Sequence, residues 1–224
     1  MPSPQPRAHD GCPPASQTSK FSIPPASAPE NRRAIRAALA HVRSVSGKRV
    51  ISNLALVGFM GCGKSTVGRQ AAGDLGFEFV DTDLLIIDRA GMPIAEIFST
   101  EGEAAFRQLE REVIAELGAR KGLVIATGGG AVVDPENLAS LKAHALVICL
   151  WAGAETLHQR TKHQKHRPLL QQPDPLGAIQ KLLAEREPFY KKADVMVNTE
   201  QRPLRAVAAQ VKHQFEGSTG GGTV

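Results

Sequence analysis

The chain has 224 residues, 42% of them hydrophobic, which suits one α/β domain with a proper core plus extensions. It has no apolar run near the roughly 18 residues that a membrane helix requires, so no membrane partner is expected. The formal net charge of +5 invites a nucleic-acid reading, but residues 1–50 hold eight of the 27 basic residues and only two of the 22 acidic ones. A nucleic-acid footprint needs a clustered basic face on the fold itself, and none is expected here.

The three cysteines, Cys12, Cys62 and Cys149, are odd in number and widely spaced. That spacing suits neither a metal site nor a disulfide framework and points to a reducing, cytoplasmic compartment.

Residues 1–30 hold eight of the 15 prolines among Ser, Ala and Gln. Such a composition cannot bury enough apolar surface to offset chain entropy, so 1–50 reads as a disordered, basic extension. It lacks the apolar core of a secretory signal and overlaps only weakly with organelle transit peptides. Ile35, Leu39 and Val42 recur at helical spacing and allow a short helix within 29–43.

The folded pattern begins with the apolar run Ile51 to Val57, a buried strand, followed by Gly58-Phe59-Met60-Gly61-Cys62-Gly63-Lys64-Ser65 with Thr66 behind it. Ser65 to Leu75 reads as a helix stopped by Gly76. Strand, glycine-rich loop and helix in this order are what the phosphate-binding pattern G-x-x-x-x-G-K-[ST] requires. The glycines let backbone N–H groups turn inward around phosphate oxygens, and the helix points its positive end at the same place. Lys64 brings a point charge for the outer phosphates, and the Ser65 hydroxyl suits the magnesium that travels with a nucleoside triphosphate. Cys62, where the backbone does the binding, reads as a small filler.

Phe77 to Val80 is a short strand ending in Asp81-Thr82-Asp83. Carboxylates just past a strand's carboxyl end lie on the edge where α/β sheets bind ligands. Helical stretches follow at Leu84 to Arg89 and Pro93 to Phe98. A longer helix, from about Glu101 to Arg120, has Phe106, Leu109, Val113, Ile114 and Leu117 as its buried stripe and Arg107 beside it. Gly122 to Thr127 is a buried strand running into Gly128-Gly129-Gly130. Three glycines off a core strand suit close backbone approach to a ligand, with a plain tight turn as the alternative.

Asp134-Pro135 starts a helix to about Ala143. Ala145 to Leu150 is a strand, and Ala154 to Thr161 a helix. The basic, Pro-broken stretch from Lys162 to about Pro175 reads as a mobile lid over phosphates. His163 and His166 within it lack companions for a metal site and read as solvated. Leu176 to Tyr190 is a helix, Val195 to Val197 a strand, and Pro203 to Phe215 the last helix, with a glycine-rich tail at 217–224. Residues 51–216 thus form one domain, a parallel sheet covered by helices on both faces.

Neither later strand ends in the apolar-run-plus-Asp signature that usually supports magnesium. The metal-supporting carboxylate therefore comes from the Asp81/Asp83 pair, which leaves the other for a second task. A carboxylate beside the transferred phosphoryl group repels a phosphate-bearing acceptor but accepts hydrogen bonds from hydroxyls, which favours a polyol.

Taken in order, GFMGCGKST, DTD at 81–83, FR at 106–107, GGG at 128–130, RPLL at 167–170 and REPFY at 186–190 resemble the shikimate kinase family over about residues 53–215. The resemblance implies a three-layer P-loop kinase fold with a mobile lid, which phosphorylates the 3-hydroxyl of shikimate with ATP and Mg2+ and acts as a monomer. Residue by residue, it implies that Gly61, Cys62, Gly63, Lys64, Ser65 and Thr66 hold the ATP phosphates, with Ser65 on the metal and Asp81 supporting it. Asp83 would take the ring hydroxyls and orient or deprotonate the attacking one. Arg107 and Arg186 would clamp the carboxylate, aided by the backbone at Gly129 and Gly130. Arg167 would come from the lid as a catalytic cation, while Arg160 would lie against adenine and Arg202 near the nucleotide's outer edge.

Two arginines suit a planar carboxylate, since each guanidinium can bind it bidentately. Two plainer roles stay open at this stage: Arg186 as an exposed ion-paired residue within Glu185-Arg186-Glu187, and Asp83 as a helix N-terminal acid. Gluconate kinase, another small-metabolite kinase, and a non-catalytic shikimate or nucleotide sensor are the alternative functions.

Overall fold

Every residue of Asn53–Val57 (β1) is buried, as a strand covered on both faces of a parallel sheet must be. The computed structural model describes residues 49–163 and 172–220. The expected helix within 29–43, the RPLL motif and most of the expected lid lie outside them. Around β1 the chain adds α1 (Lys64–Leu75), β2 (Glu78–Asp81), α2 (Thr82–Ala90), α3 (Ile94–Thr100), α4 (Gly102–Leu117) and β3 (Leu123–Ala126). A 3-10 turn at Ala131–Val133 precedes α5 (Pro135–His144), β4 (Ala145–Trp151), α6 (Ala154–Thr161), α7 (Pro175–Tyr190), β5 (Val195–Asn198) and α8 (Leu204–Ser218).

The five strands form one sheet in the order β2-β3-β1-β4-β5, with each neighbouring pair parallel. Leu56 pairs with both Ala126 of β3 and Ile148 of β4, so β1 is central and its carboxyl end opens between two other strands. Its neighbours Val124, Ile125, Val147 and Ile148 are fully buried and build the main core.

A second, smaller cluster of Ile86, Ile97, Phe106 and Val113 lies among α2, α3 and α4. It ties the helix that starts at Asp81-Thr82-Asp83 to the helix that carries Arg107. At its foot, β1 is anchored by the buried Asn53. Its amide donates to the Arg120 carbonyl at 2.8 Å and meets His144 Nδ1 at 2.9 Å, while its oxygen accepts from the Leu123 N–H.

One buried face and three helix ends differ from the sequence expectation for local reasons. The buried stripe of α4 contains Glu110, while Leu109 is only half-buried. The α4 helix stops at Leu117 because Gly118 caps it, short of Arg120. Helix α7 begins at Pro175, with the Asp174 side chain accepting from the Gly177 N–H. Helix α8 continues through Gly217 to Ser218, past the expected start of the tail, with Phe215 buried on its inner face.

Asp194 pins the entry of β5 to β4. It accepts from Arg49 at 2.6 and 3.0 Å and from the Val147 N–H at 2.8 Å, and Lys142 stands 3.2 Å away. Burial alone pushes this carboxyl up, but Arg49, the Val147 N–H and Lys142 outweigh it and hold it below the usual aspartate range. A depressed folded pKa contributes stability above the unfolded value, about 3.9, and that contribution disappears as pH falls through the folded value. The stability gap between the parent chain and Asp194→Asn, measured by urea unfolding, is therefore expected to be constant above about pH 5 and to shrink below about pH 4. A gap unchanged from pH 7 to pH 3 counts against the ionised Asp194 as the source.

Candidate active site

The loop after β1 turns on Gly58, Gly61 and Gly63, with φ of 132°, 79° and 99°. A Cβ on Gly58 would lie 2.3 Å from the Leu150 carbonyl oxygen, and one on Gly61 2.6 Å from the Thr161 side chain, so strand β4 and helix α6 leave room for backbone alone. Gly63 caps α1 without a side-chain hydrogen bond, which leaves the first-turn N–H groups aimed out of the helix end.

Lys64 folds back over the loop, its ammonium donating to the Gly58 and Phe59 carbonyls at 2.8 and 3.0 Å. Cys62 is buried beneath it with 1% exposure, in keeping with a filler. The Ser65 hydroxyl donates to Asp81 Oδ2 at 2.9 Å, and the other Asp81 oxygen accepts from the Asp83 N–H at 3.1 Å. Asp81 thus caps α2 and holds the Ser65 hydroxyl at once.

Opposite this loop lies the glycine run after β3. Its first N–H, from Gly128, donates to the buried Thr82 hydroxyl at 3.2 Å, joining it to the start of α2. A Cβ on Gly128 would come within 2.8 Å of Asp83 Oδ1 and 3.1 Å of Glu110 Oε1. A Cβ on Gly130 would lie 3.3 Å from both terminal nitrogens of Arg107 and 3.5 Å from one of Arg186. The two arginines therefore converge on one peptide from α4 and α7, and they line a shared cleft of about 680 Å³ with Gly130, Leu182 and Phe189.

Arg107 is held by two glutamates on its own helix. Glu103 takes Nε and one terminal nitrogen at 3.2 and 3.0 Å, and Glu110 takes the other at 2.8 Å. The Glu110 side chain is 1% exposed, and its second oxygen has no hydrogen-bond partner among the described residues. Burial pushes the Glu110 carboxyl up, Arg107 opposes this, and the nearby Asp83 charge adds to it. The sequence reading missed Glu110 because a glutamate reads as solvent-facing. The available signal was its spacing, since position 110 shares the inner face with 106, 113 and 117.

On the far side of the phosphate loop, Arg160 donates to the Thr199 carbonyl at 2.7 Å and hydroxyl at 2.9 Å, and reaches the Gly61 carbonyl at 3.5 Å. Glu200, next in the chain, caps α6 through the Gly153 N–H at 2.7 Å and the Thr156 hydroxyl at 2.9 Å. Arg202 instead bonds Asn198, Ala206 and Gln210, in its own loop and α8. Arg167 lies outside the described residues. No group of three or more His, Cys, Asp or Glu side chains forms a metal site among the described residues, and no helix among them is long and apolar enough to cross a membrane.

Comparison with known proteins gives one answer. The family model described as shikimate kinase matches residues 60–216. A shikimate kinase of Halorhodospira halophila is 48% identical over 170 residues, covering 75% of this chain and 96% of that protein. One of Hahella chejuensis is 45% identical over 160 residues, covering 71% and 83%. Among solved structures, shikimate kinase from Acinetobacter baumannii in complex with shikimate is 40% identical with a TM-score of 0.71, covering 75% of this chain and 95% of that one. Shikimate kinase from Aquifex aeolicus is 38% identical with a TM-score of 0.67, covering 76% and 99%.

The crowding at Gly128 yields a direct test. Gly128→Ala forces Asp83 and Glu110 aside, and overpacking of this kind typically costs about 1–3 kcal/mol. Gly73→Ala, in helix α1 with nothing within 4 Å of the added carbon, is expected to be neutral or stabilising. Urea unfolding of both variants decides the matter, and an unperturbed Gly128→Ala overturns the packing described.

Proposed function

The chain belongs to the shikimate kinase family, and on that premise we propose that it transfers the γ-phosphoryl group of ATP to the 3-hydroxyl of shikimate. The products are shikimate 3-phosphate and ADP, on the route to chorismate and the aromatic amino acids. The observation that carries this reading is the convergence of Arg107 and Arg186 on Gly130, with Asp83 beside Gly128 in the same glycine run. A carboxylate fits the two guanidiniums, and hydroxyls fit the aspartate.

In the proposed reaction, Asp83 accepts a hydrogen bond from the attacking hydroxyl and aligns its oxygen on the γ-phosphorus. As the new P–O bond forms, the bond to the bridging oxygen of ADP breaks and the hydroxyl proton passes to Asp83. The transition state is loose, so positioning and charge neutralisation matter more than base strength. Lys64 leaves the Gly58 and Phe59 carbonyls for the outer phosphates, and the first-turn N–H groups of α1 and the inward-facing loop amides take the inner ones. Arg160, beside Gly61 and Thr199, would lie against the adenine.

Membership of the family implies ATP as donor; magnesium is part of the proposal. The donor set fits it: Ser65, at the start of α1, and Asp81, at the end of β2, offer hard oxygens 2.9 Å apart. Mg2+ commonly keeps several waters and takes one or two protein ligands plus phosphates, and so needs no larger cluster. Ser65 would hold it directly and Asp81 through water. When bound, the ion neutralises charge on the phosphates.

ADP release measured with and without shikimate, with gluconate and nucleoside monophosphates alongside, tests the assignment. Shikimate alone is expected to drive turnover. Asp83→Asn is expected to lower kcat at least about 100-fold. Arg107→Ala is expected to raise KM for shikimate about 10- to 100-fold, the worth of charged hydrogen bonds. ATP binding should stay within a few-fold in both. Absence of shikimate-dependent ADP release refutes the function, and near-normal turnover by Asp83→Asn refutes the site.

A further inference from the structure

Tyr190 closes α7 one turn beyond Arg186 and is the only tyrosine in the chain. It is fully buried, and a buried phenol needs a partner for its hydroxyl. Its Oη donates to the Gly129 carbonyl at 2.6 Å. We propose that Tyr190 is a positioning residue for the acceptor: its hydroxyl fixes the Gly129–Gly130 peptide so that the Gly130 N–H faces the substrate carboxylate. This inference rests on the function proposed above.

The geometry follows from the peptide unit. The bond is trans, so its C=O and N–H point in opposite directions. With the Gly129 carbonyl held on the buried phenol, the Gly130 N–H points away from that phenol, and Gly130 itself lines the cleft where the terminal nitrogens of Arg107 and Arg186 converge. That N–H has no acceptor among the described residues.

The Ala131 N–H on the Gly128 carbonyl closes a turn around this peptide, but the central peptide between two glycines still flips at little steric cost. The tyrosine supplies the missing constraint and turns a loose amide into a preorganised donor. Arg186 stands beside the same hydroxyl and also beside the Gly129–Gly130 peptide, so one buried oxygen relates two of the groups that would meet the carboxylate. Burial pushes the phenol pKa up, which keeps it a donor throughout the neutral range.

Tyr190→Phe keeps the ring and removes the donor. It is expected to raise KM for shikimate about tenfold, with kcat and KM for ATP within about threefold of the parent chain. Discrimination between shikimate and its methyl ester, read as the ratio of kcat/KM values, should narrow about tenfold. A merely structural loosening would lower both substrates alike and preserve that ratio, and such a result overturns the proposal.

The single tyrosine offers a second readout that needs no substitution. In protein grown with 3-fluorotyrosine, the one fluorine resonance should shift when shikimate is added and shift much less with the methyl ester. A resonance insensitive to shikimate overturns the role of Tyr190, whether or not the Phe variant folds. If the parent chain turns over shikimate while these tests fail, the function stands and the Tyr190 inference falls. If the parent chain does not turn over shikimate, it is the function that fails.

Discussion

The backbone of the loop after β3 rests on the backbone of the loop after β1. A Cβ placed on Gly129 would lie 3.4 Å from the Met60 nitrogen and 3.7 Å from the Gly58 carbonyl oxygen. The contact follows from strand order. Because β1 and β3 are parallel neighbours, with Leu56 opposite Ala126, their carboxyl ends finish side by side and their loops must share one space. Glycine at 129 keeps the space against the Met60 and Gly58 backbone open, and in the proposed reaction this closeness suits an in-line transfer between two bound molecules.

The charges around this contact are arranged to balance without a full set of solvent contacts. Glu110 lies under Gly128 between Arg107 and Asp83, buried on the inner face of α4. A buried carboxylate is costly unless paired, and removing one partner leaves the other exposed to that cost. Arg107 is the partner that makes Glu110 tolerable, and Glu110 in turn fixes the guanidinium. The small apolar cluster of Ile86, Ile97, Phe106 and Val113 holds the helices on which these groups ride. Packing and electrostatics therefore hold Asp83, Glu110 and Arg107 together.

The sequence made the donor side legible because its chemistry is local. Lys64, Ser65 and the glycines lie within one loop, and the spacing alone carries the phosphate-binding geometry. The strands and most helices were legible for the same reason, since their apolar periods are continuous. The proposed acceptor side is assembled from α2, α4, the loop after β3 and α7, and nothing in their spacing reveals that Arg107 and Arg186 meet at Gly130. The ordered resemblance to a family supplied that, but not Glu110, Thr82 or Tyr190. Each of these three is buried and bonds another group of the cleft, Arg107, the Gly128 N–H and the Gly129 carbonyl respectively, so its residue type gave no functional signal. The plainer role considered for Asp83 is also true in part: it occupies the first turn of α2 and lies beside Gly128. Arg186, by contrast, is half-buried, 5.9 Å from the Phe59 ring, and no simple surface ion pair.

The two partners of Arg107 differ in a way that bears on how an acceptor would enter. The Glu103 side chain is 66% exposed, and the Glu110 side chain 1%. An exposed pair on one helix contributes little, about 0.3–0.5 kcal/mol, because water replaces it readily. A buried pair is expensive to break from one side. An incoming carboxylate in the proposed reaction thus exchanges with Glu103 at small cost while Glu110 keeps the guanidinium in place. Lys64 presents the same logic, since the Gly58 and Phe59 carbonyls it bonds are neutral acceptors that an anionic phosphate would outcompete. In the proposed reaction each cation thus has a weak partner that yields to a substrate anion, Glu103 for Arg107 and the two carbonyls for Lys64, while Glu110 keeps the Arg107 guanidinium near the geometry described.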